Sequence, residues 1–147
     1  MEHYLIYMDN IPFVAGLERP RVSTRGGYVR EYDTKNNKER KAIIQEAYRK
    51  ECRKKYGDVY WAPKGTKVYI RIETFSALPK SRPKKVDSEP DVFKPDIDNI
   101  GKLVLDALNG VAYVDDVQVV VLDIRKNDRQ RGIEPHMEVT VRFSMED

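Results

Sequence analysis

A single cysteine, Cys52, is present, so neither an internal disulfide nor a cysteine-cluster zinc site can form within the chain. Only two histidines occur, His3 and His136, far apart and outside any HExxH pattern. No run of 18 apolar residues exists to cross a bilayer. The first residues, Met1-Glu2-His3, lack the basic start and apolar stretch of a secretory signal. These absences make a cytoplasmic protein without membrane contact the expectation. What remains is a chain of 147 residues, 40% hydrophobic and 35% charged, enough for one folded domain with a heavily solvated surface.

The net charge is only +3, but it is unevenly placed. Residues 15–85 carry 20 Lys and Arg against 8 Asp and Glu, a balance of +12. Residues 86–147 carry 7 against 14, a balance of −7. A basic half joined to an acidic half suits a protein that holds a polyanion and a divalent cation together. A solvated surface whose charges merely segregate fits the numbers as well.

Hydrophobic periodicity places a short buried strand at Tyr4–Met8, then a Gly/Arg-rich loop broken by Pro20, Gly26 and Gly27. A helix is expected from about Thr34 to Lys55, closed by Gly57. Val68, Ile70 and Ile72 alternate as one face of a strand. Residues 76–95 hold Pro79, Pro83, Pro90 and Pro95 and read as a long irregular loop. A second helix starts near Asp96 or Asp98 and stops at Asn109-Gly110, with Ile97, Ile100, Val104 and Leu108 as its core stripe. A buried strand is expected at Val117–Ile124 and another strand at Met137–Phe143, the latter returning as a hairpin. The expectation is an α+β fold: one small domain over 1–147, a mixed β-sheet with two main helices on one face, order β-α-β-α-β-β, and flexible loops near 15–33 and 76–95.

The second helix carries the chemistry. Asp98, Lys102 and Asp106 recur at i,i+4 spacing and share one stripe, with Asp96 at the helix start. An acidic helix start and an Asp98/Lys102 pair are worth roughly 0.3–1 kcal/mol to the helix and need no function. Asp115-Asp116 alters the balance, because the strand after it is expected beside the helix, with its first residues near the carboxylates. Adjacent strand residues face opposite ways, so one of the two aspartates would join them. Clustered aspartates repel unless a cation neutralises them, and oxygen donors without His or Cys suit Mg²⁺ or Mn²⁺. Spacing alone leaves both a metal site and separate surface acids open.

The stretch Lys94-Pro95-Asp96-Ile97-Asp98-Asn99-Ile100-Gly101-Lys102, with Asp106-Ala107-Leu108-Asn109-Gly110 and Asp115-Asp116-Val117-Gln118-Val119, closely resembles the signature of RusA-like Holliday junction resolvases. Weaker likeness extends to Arg19-Pro20-Arg21, Gly26-Gly27-Tyr28 and Pro79-Lys80-Ser81. The resemblance implies an enzyme: a Mg²⁺-dependent, structure-selective endodeoxyribonuclease, Mn²⁺ being a plausible substitute. It would act as a homodimer that resolves four-way branched DNA by paired symmetric nicks in DNA recombination and repair, in a phage or its host. By position, Asp96, Asp98 and Asp116 match the metal-binding catalytic aspartates and Lys102 the catalytic lysine. Asp115 is a possible further metal ligand or neighbour of one, and Asp106 and Gln118 match motif positions with structural roles open. Some relatives place several basic residues just before the first aspartate, whereas only Lys94 adjoins it here. Junction contacts are therefore expected from Lys94 together with Arg19, Arg21, Arg25, Lys80, Arg82, Lys84 and Lys85. Two other readings remain: a non-catalytic branched-DNA-binding module with a structural cation, and a broader flap or fork nuclease.

Overall fold

Strict alternation decides the centre of the sheet. In β4 (Lys67–Phe75) Val68, Ile70, Ile72 and Thr74 are buried while Lys67 and Arg71 face solvent. In β8 (His136–Met145) Met137, Val139, Val141 and Phe143 are wholly buried. With β1 (Glu2–Ile11) and β6 (Val119–Lys126) they make a four-stranded mixed sheet of order β1-β8-β4-β6. The computed structural model describes residues 2–145, with side chains from residue 4 to residue 144; Met1, Glu146 and Asp147, part of the expected 1–147 domain, lie outside the described residues.

The expected hairpin between the last two strands does not form. β8 pairs antiparallel with both β1 and β4, and β6 pairs parallel with β4. Two parallel strands need a crossover, which the intervening helix supplies. The strand with every second residue fully buried then takes the interior of the sheet, leaving β6 on its edge.

Helix α1 (Lys35–Tyr56) is capped by Thr34, whose hydroxyl accepts from the Asn37 N–H at 3.1 Å, and ends on Gly57 in the left-handed region at φ 82°. Helix α2 (Ile97–Leu108) is capped by Asp96 and follows a cis Lys94–Pro95 bond. Both helices cover the same sheet face, with Ile44, Tyr48 and Cys52 of α1 and Ile100, Leu103, Val104, Ala107 and Leu108 of α2 in one core. Each large aliphatic there contributes ~1.5–3 kcal/mol over an exposed one. Gln45 links the helices by donating to the Ala107 carbonyl at 3.0 Å. Ile97, expected in the core stripe, is instead 48% exposed, because it lines the open groove between α2 and the edge strand β6. No helix among the described residues is long and apolar enough to cross a membrane.

The two proline- and glycine-broken segments hold short structure of their own. Residues 15–33 contain β2 (Arg21–Ser23) paired with β3 (Arg30–Tyr32) across a 3₁₀ turn at Arg25–Gly27. Residues 76–95 contain β5 (Ser88–Glu89), paired with β7 (Arg129–Gln130). The same segment is pinned by Arg131, which donates to the Val86 carbonyl at 2.8 and 3.0 Å and to the Pro83 carbonyl at 2.9 Å.

Candidate active site

Asp96 and Asp98 stand together on the first turn of α2, both exposed. The Asp96 Oδ1 accepts from the Asn99 N–H at 2.8 Å, which leaves its other oxygen open to solvent chemistry. Asp98, 74% exposed, pairs with the Lys102 ammonium one turn on at 3.0 Å. This end of α2 is held from behind by the segment that leads into it. Lys126, at the end of β6, donates to the Phe93 carbonyl and lies 3.9 Å from the enclosed Asp91 carboxylate. The Arg129 guanidinium covers the Phe93 ring at 4.1 Å. From the front, the Leu17 N–H donates to the Asn99 carbonyl at 2.9 Å. Gly16 is required there: a Cβ would meet the Asn99 Cβ at 2.8 Å and its backbone carbon at 3.2 Å.

Asp116 lies at the other end of the helix. The buried strand expected from Val117 begins only at Val119, after a 3₁₀ turn at Asp116–Gln118 that leaves Val117 78% exposed. Val120, Val121 and Leu122 are exposed rather than buried, because β6 is the edge strand of the sheet. Asp115 caps this turn, accepting from the Asp116 N–H at 2.8 Å. Gln118 fixes it to the body of the protein. Its Oε1 accepts from the Val114 and Asp115 N–H groups at 2.9 and 3.2 Å, and its Nε2 donates to the Pro63 and Thr66 carbonyls at 2.9 and 3.2 Å. Tyr113 anchors the approach by donating to the Leu105 carbonyl at 2.7 Å.

The electrostatics agree with that placement. Partial burial, then the hydrogen bond and charge of Asp115 and the charge of Asp106, hold the Asp116 carboxyl above its ordinary value. Asp106 itself leaves the Asp98/Lys102 stripe and turns to α1, where Lys41 pairs with it and with Asp33, the latter at 2.6 Å. Burial alone would lower the Lys41 pKa, but its bonds to Asp106 and Asp33 outweigh that and raise it. About 15 Å of helix rise separates Asp96 from Asp106. Because β6 runs parallel to β4, and α2 returns between them, α2 is antiparallel to β6. The start of β6 therefore falls beside the helix C-terminus rather than its N-terminus. Among the described residues no three Asp, Glu, His or Cys side chains gather closely enough to hold one ion.

The basic residues divide between two regions and one ion-pair group. Arg19 and Lys94 line one cleft with Asp96. Arg21 lines a neighbouring cleft with Tyr32 and Lys35, and Arg25 is exposed on the 3₁₀ turn of the β2–β3 hairpin. Lys80, Lys84 and Lys85 are exposed around the 79–86 turns. Arg82 differs: it binds Glu89 at 3.0 Å, beside Arg129 at 3.4 Å, and so holds the loop together. Residues that the sequence did not single out also reach the site. Arg40 joins the Arg19/Lys94 cleft from α1, with no signal to distinguish it among that helix's many charges. The structural role of Gln118 had one, since an acid followed three residues later by Gln is a capping-box pattern.

A groove of about 500 Å³ runs between α2 and β6, lined by Ile97, Asp98, Gly101, Lys102, Leu105, Leu122 and Ile124 among others. The helix lies close over the strand at Gly101, where a Cβ would meet the Ile124 Cδ1 at 2.9 Å. Along β6 itself Val120 and Val121, on opposite faces of the strand, and the groove-lining Leu122 are all exposed. The opposite edge is treated differently: on β1 the Leu5 N–H donates to Tyr56 and the Leu5 carbonyl accepts from Lys55, each at 3.0 Å.

Comparison with known proteins gives two findings. The family model described as Endodeoxyribonuclease RusA matches residues 12–142. "Uncharacterized protein YqaN" of Bacillus subtilis (strain 168) is 33% identical, over 84% of this chain and 86% of that protein.

Proposed function

Because the chain belongs to the RusA endodeoxyribonuclease family, we propose that it is a divalent-cation-dependent nuclease that resolves four-way DNA junctions as a homodimer, with each active site built from both subunits. The observation that carries this reading is the pairing of exposed carboxylates at Asp96 and Asp98 with a bare, apolar sheet edge beside them.

The donor set fits Mg²⁺ or Mn²⁺. Magnesium is held through one or two carboxylates, with water and substrate phosphate completing its shell, and Asp96 and Asp98 offer two hard oxygen ligands at the protein surface. When bound there, the ion would polarise a phosphodiester and lower the pKa of an attacking water. Asp98 holds Lys102 within a turn of the site, so that its ammonium can meet charge developing on the departing 3′ oxygen. The products are then a 5′-phosphate and a 3′-hydroxyl.

A second copy supplies what one chain keeps apart. Antiparallel pairing of two β6 edges about a two-fold axis brings the start of one strand beside the end of the other. The end of β6 is where Asp96 and Asp98 stand, and Asp116 precedes its start. The partner's Asp116 thus approaches the first turn of α2, and the same pairing covers Val120, Val121 and Leu122.

A junction-nicking assay tests the function. Mg²⁺ or Mn²⁺ should support cutting of a synthetic four-way junction and EDTA should stop it. Asp96→Asn, Asp98→Asn and Asp116→Asn should each abolish cutting while binding persists. Junction binding without any cutting across a metal titration would favour the non-catalytic module. Equal cutting of flaps and forks would favour a broader nuclease. Retained cutting by all three variants would reject the assigned residues.

A further inference from the structure

The cleft between residues 14–19 and the start of α2 has a volume of about 660 Å³, within the range of ligand-binding clefts. Its cations come from three separate elements: Arg19 from the segment after β1, Arg40 from α1 and Lys94 from the approach to α2. Asp96 stands at its margin. Arg19 and Lys94 are exposed and make no ion pair within the described residues, and the Asn99 carboxamide in the same wall has no partner there either. Glu18 also faces the cleft, but Asn36 donates to its carboxylate at 2.9 Å and Arg40 lies at 3.4 Å. That Asn36 bond, with the charge of Arg40, holds the Glu18 carboxyl below its ordinary range.

We propose that this cleft seats a backbone phosphate of the nucleic-acid strand that is cut, next to the phosphate attacked at Asp96 and Asp98. The inference rests on the nuclease reading and adds to it a path for the strand and three residues, Arg40, Asn99 and Gly16, that define it. Two features separate the cleft from a general basic surface. Gly16 lies flat against Asn99, so the wall bearing Arg19 moves with the helix turn bearing the carboxylates. The Leu17 N–H bond to the Asn99 carbonyl locks the same contact. A phosphate held by Arg19, Arg40 and Lys94 is therefore at a fixed offset from Asp96, and it is read without reference to base sequence.

The test is DNA binding in EDTA, measured as affinity against salt concentration for single strands, duplex and four-way junction. Arg19→Gln/Lys94→Gln removes two cations from the cleft, and Lys50→Gln/Lys54→Gln removes two exposed cations further along α1. The cleft pair should flatten the log–log salt slope by about one to two units on every DNA, and the α1 pair should leave it nearly unchanged. Arg40→Gln should flatten it by about one unit. Equal effects from both double variants, or no effect from the cleft pair while the wild type binds DNA, would overturn the phosphate seat alone. A wild type that binds no DNA would overturn the nuclease reading as well. Competition by inorganic phosphate as effective per phosphate as DNA would reject a strand as the occupant.

Discussion

Mixing two inactive variants separates a shared active site from one contained in a single chain. Oxygens bound to one magnesium ion at 2.0–2.1 Å lie within ~4 Å of each other. The ~15 Å rise of α2 between Asp96 and Asp106, whose charge acts on Asp116, exceeds that several-fold. If the site is shared, Asp98→Asn and Asp116→Asn homodimers are each dead at both sites. A mixed dimer contains one site with both substitutions and one with neither. Random exchange makes half the dimers mixed, so about a quarter of the wild-type sites return. Those dimers have one working site each, so the product is a nicked junction rather than a resolved one. The assay is nicking of an end-labelled junction after subunit exchange, with exchange verified by native mass spectrometry of differently sized tags. Verified mixed dimers with no recovered nicking would refute the shared site.

Three further substitutions probe the supports of the site. Gln118→Ala removes four hydrogen bonds around the Asp115–Asp116 turn and should destabilise the protein by ~2–4 kcal/mol in urea unfolding; a loss below ~1 kcal/mol would contradict its anchoring role. Lys41→Met leaves Asp33 and Asp106 without their shared cation and should cost ~1–2 kcal/mol near neutral pH, discounted for partial exposure. Burial would raise the Asp33 pKa, yet its bonds to Lys41 and Asn37 lower it, so its contribution is present above the unfolded carboxylate range and fades as pH falls. The raised Lys41 pKa makes its contribution complete below the unfolded lysine pKa and lost as pH rises through the folded value. The stability gap between wild type and Lys41→Met should therefore be widest between about pH 4 and 10, and a gap independent of pH would exclude the ion pairs as its source. Gly16→Ala forces a Cβ within 2.8 Å of Asn99 and should lower thermal stability by ~1–3 kcal/mol, together with nicking; an unchanged unfolding midpoint would show that the 14–19 segment is not packed as described.

The helices were legible because their ends carry local chemistry. Thr34 and Gly57 bound α1, and Pro95, Asp96 and Asn109 bound α2, each acting through its own backbone geometry or hydrogen bonds. The alternation of Val68, Ile70 and Ile72 likewise marked a sheet face directly. Strand order was harder, since β6 and β8 are neighbours in sequence yet do not pair. Nothing local distinguishes a hairpin from a strand inserted between β1 and β4. Ile97 and Val117 misled for a related reason: both are apolar at the ends of elements, where periodicity continues but the packed surface does not. At the site, the motif residues were legible one by one. Their distribution was not, because it follows from the direction of β6 relative to α2. Arg82 and Lys41 likewise sit among many similar charges, and only folded geometry shows which carboxylate each one meets.

In the proposed dimer, the two edges of the sheet would bring stability and catalysis to one surface. An unprotected edge strand invites pairing, and proteins that remain apart cover it with side chains, charge or twist. This chain does so on β1, where Tyr56 and Lys55 occupy the Leu5 backbone groups. On β6 it keeps Val120 and Val121 exposed beside a groove lined by Leu122, Ile124, Ile97 and Leu105. Holding that apolar strip in water is unfavourable by ~25 cal/mol per Å², so covering it would favour the proposed association. The Asp98/Lys102 pair lines the same groove, which would tie the carboxylates to the surface that the proposed dimer buries. A nuclease assembled this way gains its third carboxylate only when the second subunit arrives, and the two-fold axis that joins the sites presents two equivalent cutting centres to one branched DNA.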